Sequence, residues 1–133
     1  MNRILFIFLS NLVFMNPSFA EVIRYNDGIY DGEVANHVPH GQGSYHRPDG
    51  FKYIGQWKDG KMHGLGVLNF SDGAQYVGQF KNDSFHGDGK ITLFNGSFFL
   101  GEWRSDKPWS GSGYSVSGDA NLTFQEGIPV ESE

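Results

Sequence analysis

A repeat of 23 residues organises most of this chain and limits the folds open to it. Three separate series of residues keep this period. The first is a glycine flanked at two residues on either side by bulky apolar side chains, as in Tyr53, Gly55 and Trp57. The second is His-Gly-x-Gly and the third is Asp-Gly or Asn-Gly. Successive copies are therefore expected to form the same small unit and to stack on one another.

Each copy is predicted to form two strands. Apolar and polar residues alternate with period two over 51–57 and again over 64–70, as in half-exposed strands. Turn residues occupy 58–61 and 71–73. Glycine contributes 19 of 133 residues and aromatic side chains 16%, a combination that disfavours helices. The predicted fold is all-β, a single-layer antiparallel meander of repeated β-hairpins.

Folding each copy at its turns predicts three rows of side chains across the sheet. The first row alternates aromatic residues with glycine: Trp57, Gly64, Phe80, Gly87 and Trp103. The second is entirely glycine: Gly55, Gly66, Gly78, Gly89 and Gly101. The third is apolar: Tyr53, Leu68, Tyr76, Ile91 and Phe99. Rings are expected to lie across neighbouring glycines and to replace the contacts that glycine lacks.

The first twenty residues differ from the rest and predict export. Arg3 is followed by an apolar run over 4–14, and Ser18-Phe19-Ala20 has the small residues of a cleavage site. This pattern is typical of a signal peptide cleaved after Ala20; retention as an anchor is the alternative. The predicted divisions are a signal peptide at 1–20, a lead-in at 21–29, the hairpin array at 30–117, and a degenerate terminal repeat with a tail at 118–133. The predicted location is secreted or periplasmic.

Charge and composition exclude several functions. Lys and Arg number 10 against 15 Asp and Glu, and loss of the signal peptide removes Arg3 and leaves a net charge of −6. No nucleic-acid partner is expected for so acidic a chain. The absence of cysteine removes disulfides and thiol chemistry. Peripheral membrane contact remains open, because five lysines are expected on one side of the array: Lys52, Lys58, Lys61, Lys81 and Lys90.

No catalytic, metal or cofactor site is predicted. His40, His63 and His86 occupy one position in successive copies, about 10 Å apart along a sheet, which is too far to share a zinc ion. The aspartates Asp49, Asp59 and Asp72 precede glycine in turns, where they have a conformational role. One repeat position carries Glu33, Gln56, Gln79 and Glu102; these side chains are expected to form a solvated row.

The residues in these copies resemble the MORN repeat (membrane occupation and recognition nexus). The copy at 53–66, Tyr-Ile-Gly-Gln-Trp-Lys-Asp-Gly-Lys-Met-His-Gly-Leu-Gly, follows the family motif throughout. Copies from Tyr76 and Phe99 keep most of it, and the copy from Tyr30 has Val34 in place of the second aromatic. The resemblance covers about 30–115. It implies the hairpin fold and a role as a scaffold or accessory module, without specifying a partner.

The aromatic side of the sheet is the predicted binding surface. A single sheet is expected to leave some of its rings accessible in a groove. The candidates are Tyr53, Trp57, Tyr76, Phe80, Phe99 and Trp103. Open sheet edges are a second route, by strand addition or self-association. The favoured interpretation is an exported, non-catalytic module that binds a protein partner or itself. Binding to phospholipid headgroups is the alternative, and an accessory envelope enzyme, without any nominated catalytic residue, is the third.

Overall fold

The computed structural model describes residues 19–130. They form one open antiparallel sheet of eleven strands, ordered along the sheet as along the sequence, and no helix occurs among them. The prediction of an all-β, single-layer hairpin meander is confirmed. The strands are β1 (Phe19–Tyr25), β2 (Gly28–Ala35), β3 (Val38–His46), β4 (Lys52–Lys58), β5 (Lys61–Asn69), β6 (Gln75–Lys81), β7 (Ser84–Thr92), β8 (Phe98–Arg104), β9 (Lys107–Tyr114), β10 (Ala120–Gln125) and β11 (Ile128–Val130).

Both ends of the predicted array carry additional strands. The lead-in belongs largely to β1, which pairs with β2 from Phe19↔Val34 to Tyr25↔Gly28. The predicted terminal repeat forms the β10–β11 hairpin, and β10 pairs with β9. The predicted signal peptide lies outside the described residues except for Phe19 and Ala20, which are the first two residues of β1.

Two kinds of turn join the strands, as the repeat pattern predicts. Within a hairpin the turn has two residues: Lys58 pairs with Lys61 around Asp59 and Gly60, whose φ angles are 50° and 80°. These left-handed angles suit the right-handed twist of the flanking strands. Between hairpins the chain closes a wider turn, in which Asp72 Oδ1 accepts the N–H of Ala74 at 2.9 Å. The conformational role predicted for Asp72 agrees with this bond.

The predicted register is correct for two of the three rows. The glycine row pairs Gly55 with Gly66 and Gly66 with Gly78, and the apolar row pairs Leu68 with both Tyr53 and Tyr76. The aromatic–glycine row is correct only between hairpins, where Gly64 faces Phe80 and Gly87 faces Trp103.

Within the hairpins the aromatic–glycine pairing was wrong. Trp57 lies opposite Met62 instead of Gly64, and Phe80 opposite Phe85 instead of Gly87. The cause is a bulge in which one residue of the first strand faces three of the second. The register shifts between the pairs Gly55↔Gly66 and Trp57↔Met62, and the bulge recurs in β2–β3 and β6–β7.

The hydrophobic core lies on one face of the sheet, here called the core face. It contains a continuous cluster of buried residues: Tyr30, Val34, Tyr45, Tyr53, Trp57, Leu68, Tyr76, Phe80, Phe99 and Trp103. The opposite face, here called the outer face, presents alternating residues of the same strands, such as Ile54 and Lys58 in β4. No second layer of secondary structure covers either face within residues 19–130.

Candidate binding faces of the sheet

The six aromatic side chains nominated for the groove are buried. Tyr53 and Tyr76 have no exposed surface, and the most exposed of the six, Phe99, retains 8%. The expectation that some of these rings stay accessible was therefore wrong. These six residues, Tyr53, Trp57, Tyr76, Phe80, Phe99 and Trp103, form the core of the sheet.

Contacts along the array explain this burial. The Tyr53 ring lies edge-on between Trp57 and Phe80, with both ring-centre distances at 5.1 Å. Its hydroxyl donates to the carbonyl oxygen of Gln56 at 2.8 Å. Tyr76 repeats this bond to Gln79 at 3.0 Å. Each ring is thus held by its own repeat and covered by the next.

Burial also sets the acidity of the core tyrosines. Removal from water raises the pKa of Tyr30 and of Tyr76 to about 12, because burial disfavours the phenolate. Nearby carboxylates raise both pKa values further. The same causes raise the pKa of Tyr53. These hydroxyls are hydrogen-bonded structural groups and are not suited to acid–base chemistry near neutral pH.

A second set of apolar side chains on the core face is only half buried. Phe51, Phe70 and Phe85 form a ladder across the sheet, with ring centres 6.3 Å apart at each step. Beside the ladder, a cavity of about 190 Å³ is lined by Tyr25, Phe51 and Met62 among others. This set, Tyr25, Phe51, Met62, Phe70 and Phe85, packs against the core and is here called the ring ladder.

The ring ladder is not evident from the repeat, because the residue type at its positions varies between copies: even Met62 and Phe85, which are one repeat apart, differ. The residues that correspond to Phe70 in the preceding and following repeats are Arg47 and Leu93. The residue that corresponds to Phe51 in the following repeat is Ala74. The period identifies the buried framework, whereas the accessible rings occur at positions that vary between copies. A search for apolar residues that interrupt the repeat would have found them.

The polar row at Glu33, Gln56, Gln79 and Glu102 does more than face solvent. Gln56 Oε1 accepts the N–H of Leu65 at 2.7 Å, and Gln79 Oε1 accepts the N–H of Asp88 at 2.8 Å. Glu33 makes the equivalent bond to Gln42 at 3.0 Å. These side chains bridge the bulges and satisfy backbone groups that the shifted ladder leaves unpaired. The expectation of a merely solvated row was therefore incomplete.

The repeated histidines connect successive hairpins. The N–H of Asp59 donates to His40 Nδ1 at 3.3 Å, and the N–H of Ser105 donates to His86 Nδ1 at 3.4 Å. His63 Nδ1 is buried and has no hydrogen-bond partner among the described residues. Residues 19–130 contain no cluster of three or more histidine, cysteine or acidic side chains arranged to hold a metal ion.

Comparison with known families agrees with this geometry. The model of the MORN repeat matches residues 30–52, 53–75 and 76–98, just over half of the chain. The chain belongs to the MORN-repeat family. Proteins of this family are generally non-catalytic binding modules, and this one is a repeat protein with a role in binding. No characterised protein sequence matches the chain.

The outer face of the MORN sheet combines lysines with exposed apolar residues. Strand pairing places all five nominated lysines there: Lys52, Lys58, Lys61, Lys81 and Lys90. Ile54 and Val77 lie on this face in pairing register with Val67, and they are 47% and 45% exposed. Asp88 and Glu102 pair on the same face, so its charge is mixed.

The two edges of the MORN sheet differ. β1 has seven residues and contains neither proline nor lysine, the residues that commonly protect an edge. β11 has three residues, and the middle one is Pro129, which has no N–H to donate. Of the two edges within residues 19–130, the β1 edge is therefore the better suited to accept a further strand. In the described part of the chain no helix has the length and apolar character needed to cross a bilayer.

Proposed function

We propose that this MORN-repeat protein is exported and acts as a non-catalytic binding module that docks a protein partner on its core face. One observation carries the proposal: the ring ladder lies half buried on a face that no second layer covers within residues 19–130. Half-exposed aromatic side chains on a rigid support are typical of the centre of protein interfaces. The buried rings beneath supply the rigid support.

Charged groups beside the ladder suit a polypeptide partner. Asp27, Arg47 and Asp83 line the cavity next to Phe51 and Met62. Arg47 is held in place by Asp27 at 3.4 Å and by Asp49 at 2.7 Å. An apolar centre surrounded by positively and negatively charged side chains matches the usual anatomy of protein interfaces. The proposed partner is a protein segment that places apolar side chains on the ladder.

The test uses two phenylalanines of different placement. Phe70→Ser removes the middle ring of the ladder, whereas Phe94→Ser alters a ring that is 76% exposed and outside the ladder. Partners are captured from the exported fraction by the wild type and by both variants, with circular dichroism as a check of folding. Loss of the captured protein with Phe70→Ser alone supports the proposal. Equal capture by all three proteins contradicts it.

Export rests on the residues at 1–20 and has its own test. Cleavage after Ala20 would remove the pairs Phe19↔Val34 and Ala20↔Glu33 and leave Glu21–Tyr25 as the edge strand. We expect the tagged full-length chain to be recovered from the medium or the periplasm with Glu21 as its first residue. N-terminal sequencing after cell fractionation measures this. A product that begins at Met1 and stays inside the cell would disprove export.

Strand addition at β1 is a second way for this module to bind a protein. In a two-residue hairpin the residues beside the turn exchange hydrogen bonds, here Tyr25 and Gly28, so the N–H groups of Val22 and Arg24 point away from β2. Val22→Pro removes one of these donors and leaves the pairing with β2 intact, whereas Val22→Thr keeps the donor. Partner binding or self-association that uses this edge is expected to fail only in the proline variant. Light scattering and the capture assay both report it.

Association with a membrane surface is the second candidate function. Five lysines and the exposed side chains of Ile54 and Val77 share the outer face, a combination that can attract anionic lipid headgroups. Asp88 and Glu102 on the same face oppose it. Flotation with vesicles of neutral lipid, with and without phosphatidylserine, tests whether the protein binds anionic membranes. Salt-sensitive flotation with the anionic vesicles is the expected result for this function, and its absence rules the function out.

A further inference from the structure

Two clefts lie one repeat apart on the outer face, at the level of the bulges. The first has a volume of about 280 Å³, and Gln56, Lys58 and His63 lie among its lining residues. The second has a volume of about 400 Å³, and Gln79, Lys81 and His86 take the corresponding places in its lining. The repeat therefore builds the same cleft twice, and His63 and Gln56 line both.

The amide groups of the glutamines in these clefts have a fixed orientation. A backbone N–H can bond only to an acceptor, so the bonds from Leu65 to Gln56 and from Asp88 to Gln79 fix the oxygen of each amide at the bulge. The NH₂ group of each amide takes no part in this bond, and both glutamines line the second cleft. This orientation follows from the backbone donors themselves.

Two of the three histidines that line the clefts are fixed in the same way, whereas His63 Nδ1 has no hydrogen-bond partner among the described residues. His40 and His86 accept backbone N–H groups at Nδ1. A neutral imidazole that accepts at Nδ1 carries its proton on Nε2, so each ring also has a donor to offer. The Asp59 carboxylate lies 3.7 Å from His40 Nδ1 but is not among the residues that line the cleft.

The lysines complete clefts whose own lining residues include no Asp or Glu. The nearest acidic neighbour of the first cleft is Glu33, which accepts the N–H of its lining residue Gln42 at 3.0 Å. Neither Lys58 nor Lys81 forms an ion pair with any residue in 19–130.

One repeat before Gln56 and one after Gln79, the same position carries Glu33 and Glu102. The first cleft is lined by residues of the repeats at 30–52 and 53–75, and the second by residues of the repeats at 53–75 and 76–98. Glu33 therefore lies beside the first cleft and Glu102 beyond the second.

We propose that the two clefts bind an acidic polysaccharide that carries about one carboxylate per disaccharide. Two strands of about 4.8 Å each separate equivalent positions by about 9.6 Å, which is comparable with the length of an extended disaccharide. Each carboxylate enters one cleft and accepts from lysine, amide and imidazole. Leu65 lines the second cleft and is 62% exposed, so it offers an apolar contact for a sugar ring.

Charge density selects this class of polymer over more highly charged ones. Duplex DNA carries one charge per about 1.7 Å, whereas the clefts accept one charge per repeat. Glu33 and Glu102 at the ends of the row, together with a chain that is acidic overall, repel a densely charged chain. The proposal concerns a different face from the ring ladder and stands independently of the protein-docking function.

The experiment measures binding of the purified protein to fluorescently labelled hyaluronate octasaccharide, which has one carboxylate per disaccharide. Heparin of matched length and neutral dextran are the comparison ligands. We expect saturable binding to hyaluronate that weakens with added salt, weaker binding to heparin and none to dextran. Binding that is strongest to heparin would show unselective attraction to polyanions and would overturn the proposal. Absence of hyaluronate binding would overturn it as well.

A matched pair of double variants locates the site. Lys58→Gln with Lys81→Gln removes one charge from each cleft, whereas Lys52→Gln with Lys90→Gln removes the same charge from the same face outside the clefts. We expect the first pair to weaken hyaluronate binding about tenfold, and the second to change it less than about threefold. Equal losses in both pairs, or binding to anionic vesicles without binding to hyaluronate, would refute the polysaccharide site.

Discussion

Tyrosine and glycine act as a pair at the scale of single residues. Tyr53 lies over Gly66, and a Cβ at that glycine would overlap the ring. The same relation holds for Tyr30 over Gly43 and for Tyr76 over Gly89. The glycine therefore serves as the surface on which the ring lies, and the ring in turn buries backbone that has no side chain of its own.

Substitution of one of these glycines is expected to destabilise the sheet. Gly66→Ala places a methyl group against the Tyr53 ring and against a well-packed core, which costs about 1–3 kcal/mol. Lys61→Ala, on the exposed side of the same strand, should change the free energy of unfolding by less than about 0.5 kcal/mol. Urea denaturation compares the two. Equal effects would mean that the ring does not rest on the glycine.

The pKa values of the core tyrosines predict a loss of stability at high pH. Burial raises the pKa of Tyr30 and of Tyr76 to about 12 in the folded protein, against an ordinary tyrosine value of 10.0, so the folded state retains these protons to a higher pH than the unfolded state does. Their contribution is complete below pH 10 and declines as the pH rises from 10 towards 12. We expect the free energy of unfolding to fall over this range. Tyr76→Phe should reduce the slope, and an unchanged slope would contradict the burial effect.

The burial of the six nominated rings could not be predicted from the repeat alone. Equivalent positions in each copy identify Tyr53 and Tyr76 as framework residues, and that part of the sequence prediction holds. Their neighbours Tyr25 and Phe85 occupy positions that differ between copies, yet both pack against Trp57 or Tyr76. The period identifies residues that all copies share, whereas the exposure of a side chain also depends on neighbouring residues that differ between copies.

At the scale of the hairpin, the bulge illustrates another limit of pattern reading. Side chains alternate with period two, so a register shift of two residues leaves every side chain on its original face. The shift between Gly55↔Gly66 and Trp57↔Met62 is of this kind. The alternation therefore predicts the strands and their faces correctly, but a register shift of two residues cannot be detected from it. Left-handed Gly64, with φ at 68°, is the local sign of the bulge.

The hairpin turns also hold neighbouring repeats together. Asp83 Oδ1 accepts the N–H of Met62 at 2.8 Å, and the N–H of Asp83 donates to the carbonyl oxygen of Met62 at 3.0 Å. Asp106 repeats the pair of bonds with Phe85. Each turn is therefore hydrogen-bonded to the preceding hairpin. The bonded residue, Met62 or Phe85, is the one that pairs with a buried aromatic residue of that hairpin.

Substitution of Asp83 tests this connection. Its φ angle is 69°, a conformation that glycine adopts freely and asparagine tolerates. Asp83→Gly keeps the backbone relaxed but removes the acceptor, and it should cost about 1–2 kcal/mol. Asp83→Asn keeps an acceptor oxygen and should cost less than half as much. If the two variants are equally stable in urea denaturation, the side-chain bond contributes nothing.

At the scale of the whole molecule, the sheet behaves as a one-dimensional array. Strand order follows chain order, so each hairpin contacts mainly the hairpins before and after it. Rings such as Tyr53 with Phe80, and Tyr76 with Trp103, cross the boundaries between repeats. The sequence period predicted this architecture because stacked identical units need only local contacts. The period gave no such guide to the proposed docking surface, because the residue types at the positions of the ring ladder vary between copies.

Such an array should transmit the effects of substitutions only to near neighbours. Phe80 lies 5.1 Å from Tyr53 between ring centres, whereas Phe124 contacts Phe99 near the far end of the sheet. Phe80→Leu combined with Tyr53→Leu should depart from additivity by about 0.5 kcal/mol or more, since the rings share a contact. Phe80→Leu combined with Phe124→Leu should add within about 0.5 kcal/mol. Free energies of unfolding for the single and double variants measure both cycles, and strong coupling in the distant pair would contradict the expectation that effects reach only near neighbours.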